Sequence, residues 1–281
     1  MNRRLLWSLT ALALSLVGCS REPDRSTPEA TIRAARTAVE AGDARRIGAY
    51  IYAENEDTKR LMARLGVFLG NVQKLGSAIQ EKFPTQVADM KARAEQAAKE
   101  GKTTSLLAQI SSQVRPQRGR RSGPPPTDAR TLFDDALKNL FADPYGWLRE
   151  SETRLTTTYL TDNSVALLWD NKPIMPPIGM TMKKGPDGLW YFLLPTNLPG
   201  VSNFMPKTKE QFEIFGGLIA VFDNVIKDLT EDVKTGRLRS LDDVARKAGE
   251  KTFIPAAMTI FAYSKLTENQ KKEAKAVSGK P

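Results

Sequence analysis

The sequence predicts an α+β fold in which a short antiparallel sheet of about four strands is packed by helices. Apolar residues recur at helical spacing through most of the chain, and the pattern changes to alternation only between about 152 and 195. Within that stretch, Asp162-Asn163 and Gly185-Pro186-Asp187-Gly188 are turn sequences that divide it into two hairpins.

The first element is not part of the fold. Arg3 and Arg4 precede an apolar run from Leu5 to Val17 and then small residues, which is the layout of a secretory signal. Its 13 residues are fewer than the roughly 20 needed to span a bilayer. The run ends Leu16-Val17-Gly18-Cys19, which resembles the lipobox of bacterial lipoproteins. That resemblance implies acylation of Cys19, cleavage before it and residence of the mature chain in the bacterial cell envelope. Ser20 in the following position implies transfer to the periplasmic face of the outer membrane in a diderm cell. The competing reading is an ordinary signal peptide with Ala13-Leu14-Ser15 as a poor cleavage site. Cys19 is the only cysteine in the chain, and acylation explains it without leaving a free thiol in an oxidising compartment. Residues 19–26 read as a tether.

Removing residues 1–18 takes away two arginines and no acid, so a formal charge of +10 becomes +8 over 263 residues. Such an excess suits anionic lipid, cell-wall polymer or nucleic acid, and export makes nucleic acid the least expected of these. The chain has no histidine. That removes the commonest general base and metal ligand together, and with Cys19 acylated no metal or cofactor is predicted.

After the tether, Thr27-Pro28-Glu29 reads as a helix start, with Thr27 as cap, and Ile32, Ala35 and Val39 share a face up to Gly42. Asp43 is placed to cap a second helix carrying Ile47, Tyr50 and Ile51. From about Glu56 to Ile79 the series Leu61, Leu65, Phe68, Leu69, Val72, Leu75 and Ile79 marks a long amphipathic helix, within which Gly66 and Gly70 mark close packing in a soluble core. Further helices are predicted over Pro84–Ala98 and Thr104–Val114. Residues 115–127 break all periodicity with proline, glycine and four arginines, and form a loop. Asp128 is placed to cap another helix, which Asp143-Pro144 ends. The two hairpins follow, RLTTTYL with SVALLWD and IGMTMKK with LWYFLLP, joined by a proline-rich connection over 173–177. Thr208 with Gln211 predicts a capping box for a helix whose apolar face runs from Phe212 to Leu229 and which stops at Gly236. A short helix from Ser240, another from Pro255 to about Leu266, and a disordered Lys-rich tail over 267–281 complete the chain.

Two pieces together, TPEATIRAARTAVEAGDARRIGAYI and GMTMKKGPDGLWYFLLP, resemble the envelope-lipoprotein branch of the nuclear transport factor two-like superfamily. The matching positions are Thr27, Pro28, Glu29, Gly42, Asp43, Asp187, Gly188 and Trp190, and the resemblance covers about a third of the chain. It implies a cone-like α+β domain over 27–195, often with a cavity. It leaves unexplained a helical insertion at about 54–127 and a C-terminal helical extension over 196–266.

The chemistry on offer is sparse. Gly101-Lys102-Thr103 ends like a phosphate-binding loop, but Gln96 stands where the first glycine belongs and a helix is predicted in front, so Gly101 reads as a helix stop. Asp134/Asp135 and Asp242/Asp243 are sequence neighbours that diverge on a helix, and read as charges complementing a helix dipole. Tyr159 and Asp170 are placed to line a cone cavity, and Trp147, Trp169, Met180 and Met182 to wall a pocket for an apolar or aromatic ligand. Ordinary core packing competes with the pocket reading.

Two functions follow as expectations: a non-enzymatic, lipid-anchored binding or scaffolding module, and a dehydratase- or isomerase-like cavity enzyme for a small hydrophobic substrate. Arg115, Arg118, Arg120 and Arg121 either form a solvated connection or lay the loop on an anionic surface, at about 1 kcal/mol per residue. Cys19→Ala is expected to abolish metabolic labelling with palmitate and leave the chain unprocessed or mis-sorted; normal labelling of that variant refutes the lipobox reading.

Overall fold

A computed structural model describes residues 22–99, 137–138, 140–174, 179–194 and 205–278. The predicted signal and Cys19, the helix expected over 104–114, the arginine loop and the beginning of the helix after Asp128 lie outside the described residues.

The fold class is α+β. Helix α1, Pro28–Glu40, starts as its sequence dictates: the Thr27 hydroxyl accepts from the Ala30 amide at 3.1 Å, and proline occupies the first turn. Its buried face includes Ile32, Ala34, Ala35, Ala38 and Val39. Residues Ala44–Tyr50 form a 3₁₀ helix instead of the expected α-helix. The predicted Asp43 cap is absent because the Asp43 carboxylate pairs with Arg46 at 2.7 Å, while the Ala44 amide is taken at 2.8 Å by the Gln73 side chain. Gln73 belongs to α2, Glu56–Lys82, and also donates to the Val39 carbonyl at 2.6 Å, so one carboxamide bridges α1, the 3₁₀ helix and α2.

Helix α2 has two working faces. Gly66 and Gly70 turn toward the 3₁₀ helix, while Val72, Leu75, Ala78 and Ile79 enter the largest apolar cluster. Helix α3, Pro84–Lys99, adds Val87 to that cluster. Helix α4, Gly146–Arg154, was not predicted, because its nine residues contain only Trp147 and Leu148 as apolar side chains. Tertiary contact makes it helical: Tyr145 and Leu148 pack with Ala34, Ala35 and Ala38 of α1, and the Tyr145 hydroxyl donates to the Leu69 carbonyl at 2.6 Å.

Strands β1, Leu155–Thr161, and β2, Ser164–Trp169, form the first hairpin about Asp162-Asn163, and β4, Met180–Lys184, with β5, Trp190–Leu193, forms the second. The antiparallel order is β1-β2-β4-β5. A fifth strand, β3 at Lys172–Pro173, pairs with the end of β2 through a tight turn in which Asp170 and Asn171 both take positive φ, 49° and 60°. The proline-rich connection therefore begins one short strand later than expected. The register places Val165, Leu167, Met182 and Trp190 on one face, where Ile32 of α1 covers them.

Helix α5, Lys209–Lys234, begins with the predicted capping box of Thr208 and Gln211. It packs Val225, Ile226, Leu229 and Val233 against α2. Helix α6 corrects two expectations at once. It runs unbroken from Leu241 to Ser278, through Pro255 and through residues 267–278 of the segment expected to be a disordered tail. The tail holds because its root is fixed to α5: the Gln270 amide donates to the Thr208 hydroxyl at 3.2 Å and its carbonyl accepts from Gln211 at 2.8 Å. Pro255 removes one amide donor, and the helix tolerates that single loss.

The glycine contact makes a direct prediction. A Cβ at Gly66 would lie 2.4 Å from the Arg45 carbonyl oxygen, whereas one at Gly70 comes no nearer than 3.2 Å to the Arg45 Cβ and 3.5 Å to its backbone nitrogen. Gly66→Ala is expected to destabilise the fold by about 1–3 kcal/mol in urea unfolding. Gly70→Ala is expected to stay near neutral, because the roughly 1 kcal/mol gain in helix propensity offsets the contact.

Candidate functional site

Among the described residues a groove of about 480 Å³ lies between the segment 23–24, α1 and the 3₁₀ helix. Its wall is made by Ala30, Ala34, Ala38 and Ala41, which the helix places on one side at spacings of three and four. Small side chains there leave the volume open. Arg33, Arg46, Asp24 and Asp43 supply the polar lip, and Tyr50 also lines the groove.

Tyr50 is the anomaly of the site. It is 3 % exposed, and its hydroxyl has no hydrogen-bond partner. Leaving such a group unpaired costs about 1–3 kcal/mol, so its presence calls for an explanation. Burial raises its pKa above the ordinary tyrosine value, against the opposing pull of the Arg46 and Arg25 cations. The hydroxyl is therefore neutral and keeps its proton. Arg25 lies over the Tyr50 ring at 5.5 Å and over the Tyr191 ring at 4.9 Å, and its carbonyl accepts from the Trp190 amide at 2.9 Å. Residues 22–26, expected as part of a tether, are thus docked on the sheet from Arg25 onward.

The lip is partly self-satisfied. Hydrogen bonding from Arg46 ties Asp43, and that bond raises the guanidinium pKa further. The Ser26 amide donates to Asp24 at 2.9 Å and holds its carboxyl below the usual range. Arg33 stands on the same lip, where its charge also helps to hold the Asp24 carboxyl down.

The residues chosen from sequence fall elsewhere, and none of them lines this groove. Trp147 lies on α4, 47 % exposed. Tyr159, Trp169, Met180 and Met182 do share one face of the sheet, as the register requires, but Met182 is fully buried in the core beneath α1, while Tyr159 is 58 % exposed and meets Trp190 edge-on at 6.0 Å. Trp169 and Asp170 clasp Arg154: the guanidinium lies 4.8 Å above the Trp169 ring and donates to Asp170 at 3.1 Å. That bond lowers the Asp170 pKa, which holds the carboxylate charged. Arg115, Arg118, Arg120, Arg121 and Cys19 lie outside the described residues. Among the described residues no cluster of three or more His, Cys, Asp or Glu is placed to hold a metal ion.

Sequence reasoning missed the groove because Tyr50 was read only as an apolar position beside Ile47 and Ile51. The available signal was the row of alanines in α1 opposite a segment rich in arginine. No family model, curated protein or solved structure matches the chain.

Two tyrosines are expected to respond in opposite directions. Tyr145→Phe removes a made hydrogen bond and should cost about 1 kcal/mol, whereas Tyr50→Phe removes an unmade one and should be neutral or stabilising in the same unfolding experiment. Burial raises both pKa values, so the folded state holds both phenols neutral. Their contribution is complete below the ordinary value of 10.0 and is lost as pH rises through the folded values. Stability of the native chain should therefore fall above about pH 10, less steeply in Tyr145→Phe.

Proposed function

We propose that the protein is a lipid-anchored, non-enzymatic binding module of the bacterial cell envelope. Cys19 holds it at the membrane, and the groove beside Tyr50 receives the ligand. The observation that carries the reading is the buried, unpartnered hydroxyl of Tyr50, a residue that lines the groove together with the Arg33 cation. The alanine wall suits a slender apolar body, and Tyr50 with Arg33 suits a polar or acidic head, so the ligand class is a small amphipathic anion.

The lipobox adds position. The chain from Cys19 to Pro23 is four residues long, which extends at most about 14 Å, so an acylated Cys19 keeps the groove beside the bilayer. Several acyl chains make that residence close to permanent. The likeness to nuclear transport factor two-like envelope domains supports a binding role in the same way. The arginines of residues 115–121 are proposed to face anionic lipid or cell-wall polymer. An acid/base role has less support, because Tyr159 stands exposed on the sheet and Asp170 is occupied by Arg154.

Native mass spectrometry of the protein purified from its own host is expected to show a mature chain beginning at an acylated Cys19 with a retained small molecule. Arg33→Ser and Tyr50→Phe should each lower its occupancy, with about tenfold weaker binding for loss of the charged contact. An absence of retained mass, or retention unchanged in both variants, overturns the groove assignment. A chain without acyl groups overturns the anchor separately.

A further inference from the structure

The second half of α6 carries the least expected surface of the molecule. Phe253, Ile254, Met258, Ile260 and Phe261 are between 58 and 75 % exposed. They recur at helical spacing on one side, while Tyr263 on the other side is buried, stacks edge-on against Phe215 at 5.2 Å and donates to the Met205 carbonyl at 3.1 Å. The helix is therefore already fixed by its inner face, and the apolar stripe faces outward by construction. Scattered apolar residues on a surface need no explanation, but a contiguous stripe of two phenylalanines, two isoleucines and a methionine does.

We infer that this stripe of α6 is a membrane-contact surface, which lies in the plane of a bilayer and inserts its apolar side chains at the boundary between headgroups and acyl chains. The thirteen residues from Thr252 to Ser264 carry no charge. Their length, about 20 Å, is too short to cross a bilayer but suits an interfacial helix. No helix among the described residues is long and apolar enough to span a membrane. Lys251 and Lys265 bracket the stripe, where headgroups would meet it, and bases outnumber acids along the helix, seven to five.

Lys251 is tied to Asp228 at 2.9 Å and Lys265 to Glu268 at 3.4 Å, so the attraction to lipid is mainly apolar. Contact of this kind persists in salt, unlike any contact made by the arginines of residues 115–121.

The test uses the full chain reconstituted in vesicles of phosphatidylethanolamine and phosphatidylglycerol. Met258→Cys introduces a nitroxide site on the stripe, and Thr158→Cys a control on the exposed strand β1. The label at 258 is expected to be relaxed by oxygen and shielded from a water-soluble nickel reagent at low and high salt, while the control stays open to nickel. Adding Phe253→Ser and Phe261→Ser should raise nickel access at 258 about tenfold. Equal access with and without vesicles overturns the inference. So does shielding that persists without lipid, which marks another segment of the chain as occupant, or coupling between labels that vanishes on dilution with unlabelled protein, which marks a second copy. An unacylated Cys19 shows as a second spin per chain and a lower mass, so failure of the anchor is read apart from the result at 258.

Discussion

The approach of Gly66 to the backbone of the 3₁₀ helix is the constraint on which the rest of the molecule depends. On one side of that contact lie α1 and the sheet, to which the 3₁₀ helix is joined by the bridge between Ile51 and Phe192 and by the Tyr52 amide, which donates to the Phe192 carbonyl at 2.8 Å. On the other side lie α5 and α6, which pack on the opposite face of α2. Helix α2 is thus a shared wall between two apolar clusters. A side chain at position 66 would push the walls apart, and the Gln73 bridge, which has to reach both Ala44 and Val39, would lose its geometry.

Polar contacts then fix the register that apolar packing leaves loose. Asn71 of α2 donates to Asp223 of α5 at 2.6 Å, and both are buried. Lys227 pairs with the same carboxylate at 2.6 Å, and Lys74 donates to the Asn71 oxygen at 3.2 Å. A buried carboxylate is tolerable only when it is paired in this way, and Asn71 to Asp223 is the contact of this network that crosses between the two helices. Sliding either helix by one turn would part that hydrogen bond and leave the Asn71 amide facing apolar side chains, while Lys227 and Lys74 travel with their own helices. The pairing of α2 with α5 therefore takes its register from one buried polar contact, while its strength comes from leucines, isoleucines and valines.

The elements that were legible in the sequence are those whose signals are local. Thr27-Pro28 and the Thr208–Gln211 box act within one helical turn, and Asp162-Asn163 acts within one hairpin. What was not legible depends on partners distant in the chain. The sequence around Asp43 is that of a helix cap, but Arg46 takes its carboxylate and Gln73, thirty residues on, takes the Ala44 amide. Helix α4 has too few apolar residues to announce itself and forms because α1 receives Leu148. The Lys-rich end of α6 has the composition of a solvated tail, and Gln270 against Thr208 is invisible without the fold. The candidate groove was hidden for the same reason: alanine rows and a tyrosine are ordinary core residues until their neighbours fail to fill the space beside them. The apolar pattern of α6 shows the converse, since periodicity reveals a face but not whether anything covers it.

The docked N-terminal segment has a mechanical consequence. A pull on the chain ahead of residue 22 reaches the folded part first at Arg25, where one backbone bond to Trp190 and the side chain held between Tyr50 and Tyr191 take the load. Trp190 heads β5, the edge strand bonded to the exit of the 3₁₀ helix at Ile51 and Tyr52, so tension arriving there divides between the sheet and that helix. The segment acts as a strain relief, and force spent on it is force that does not unzip the hairpins.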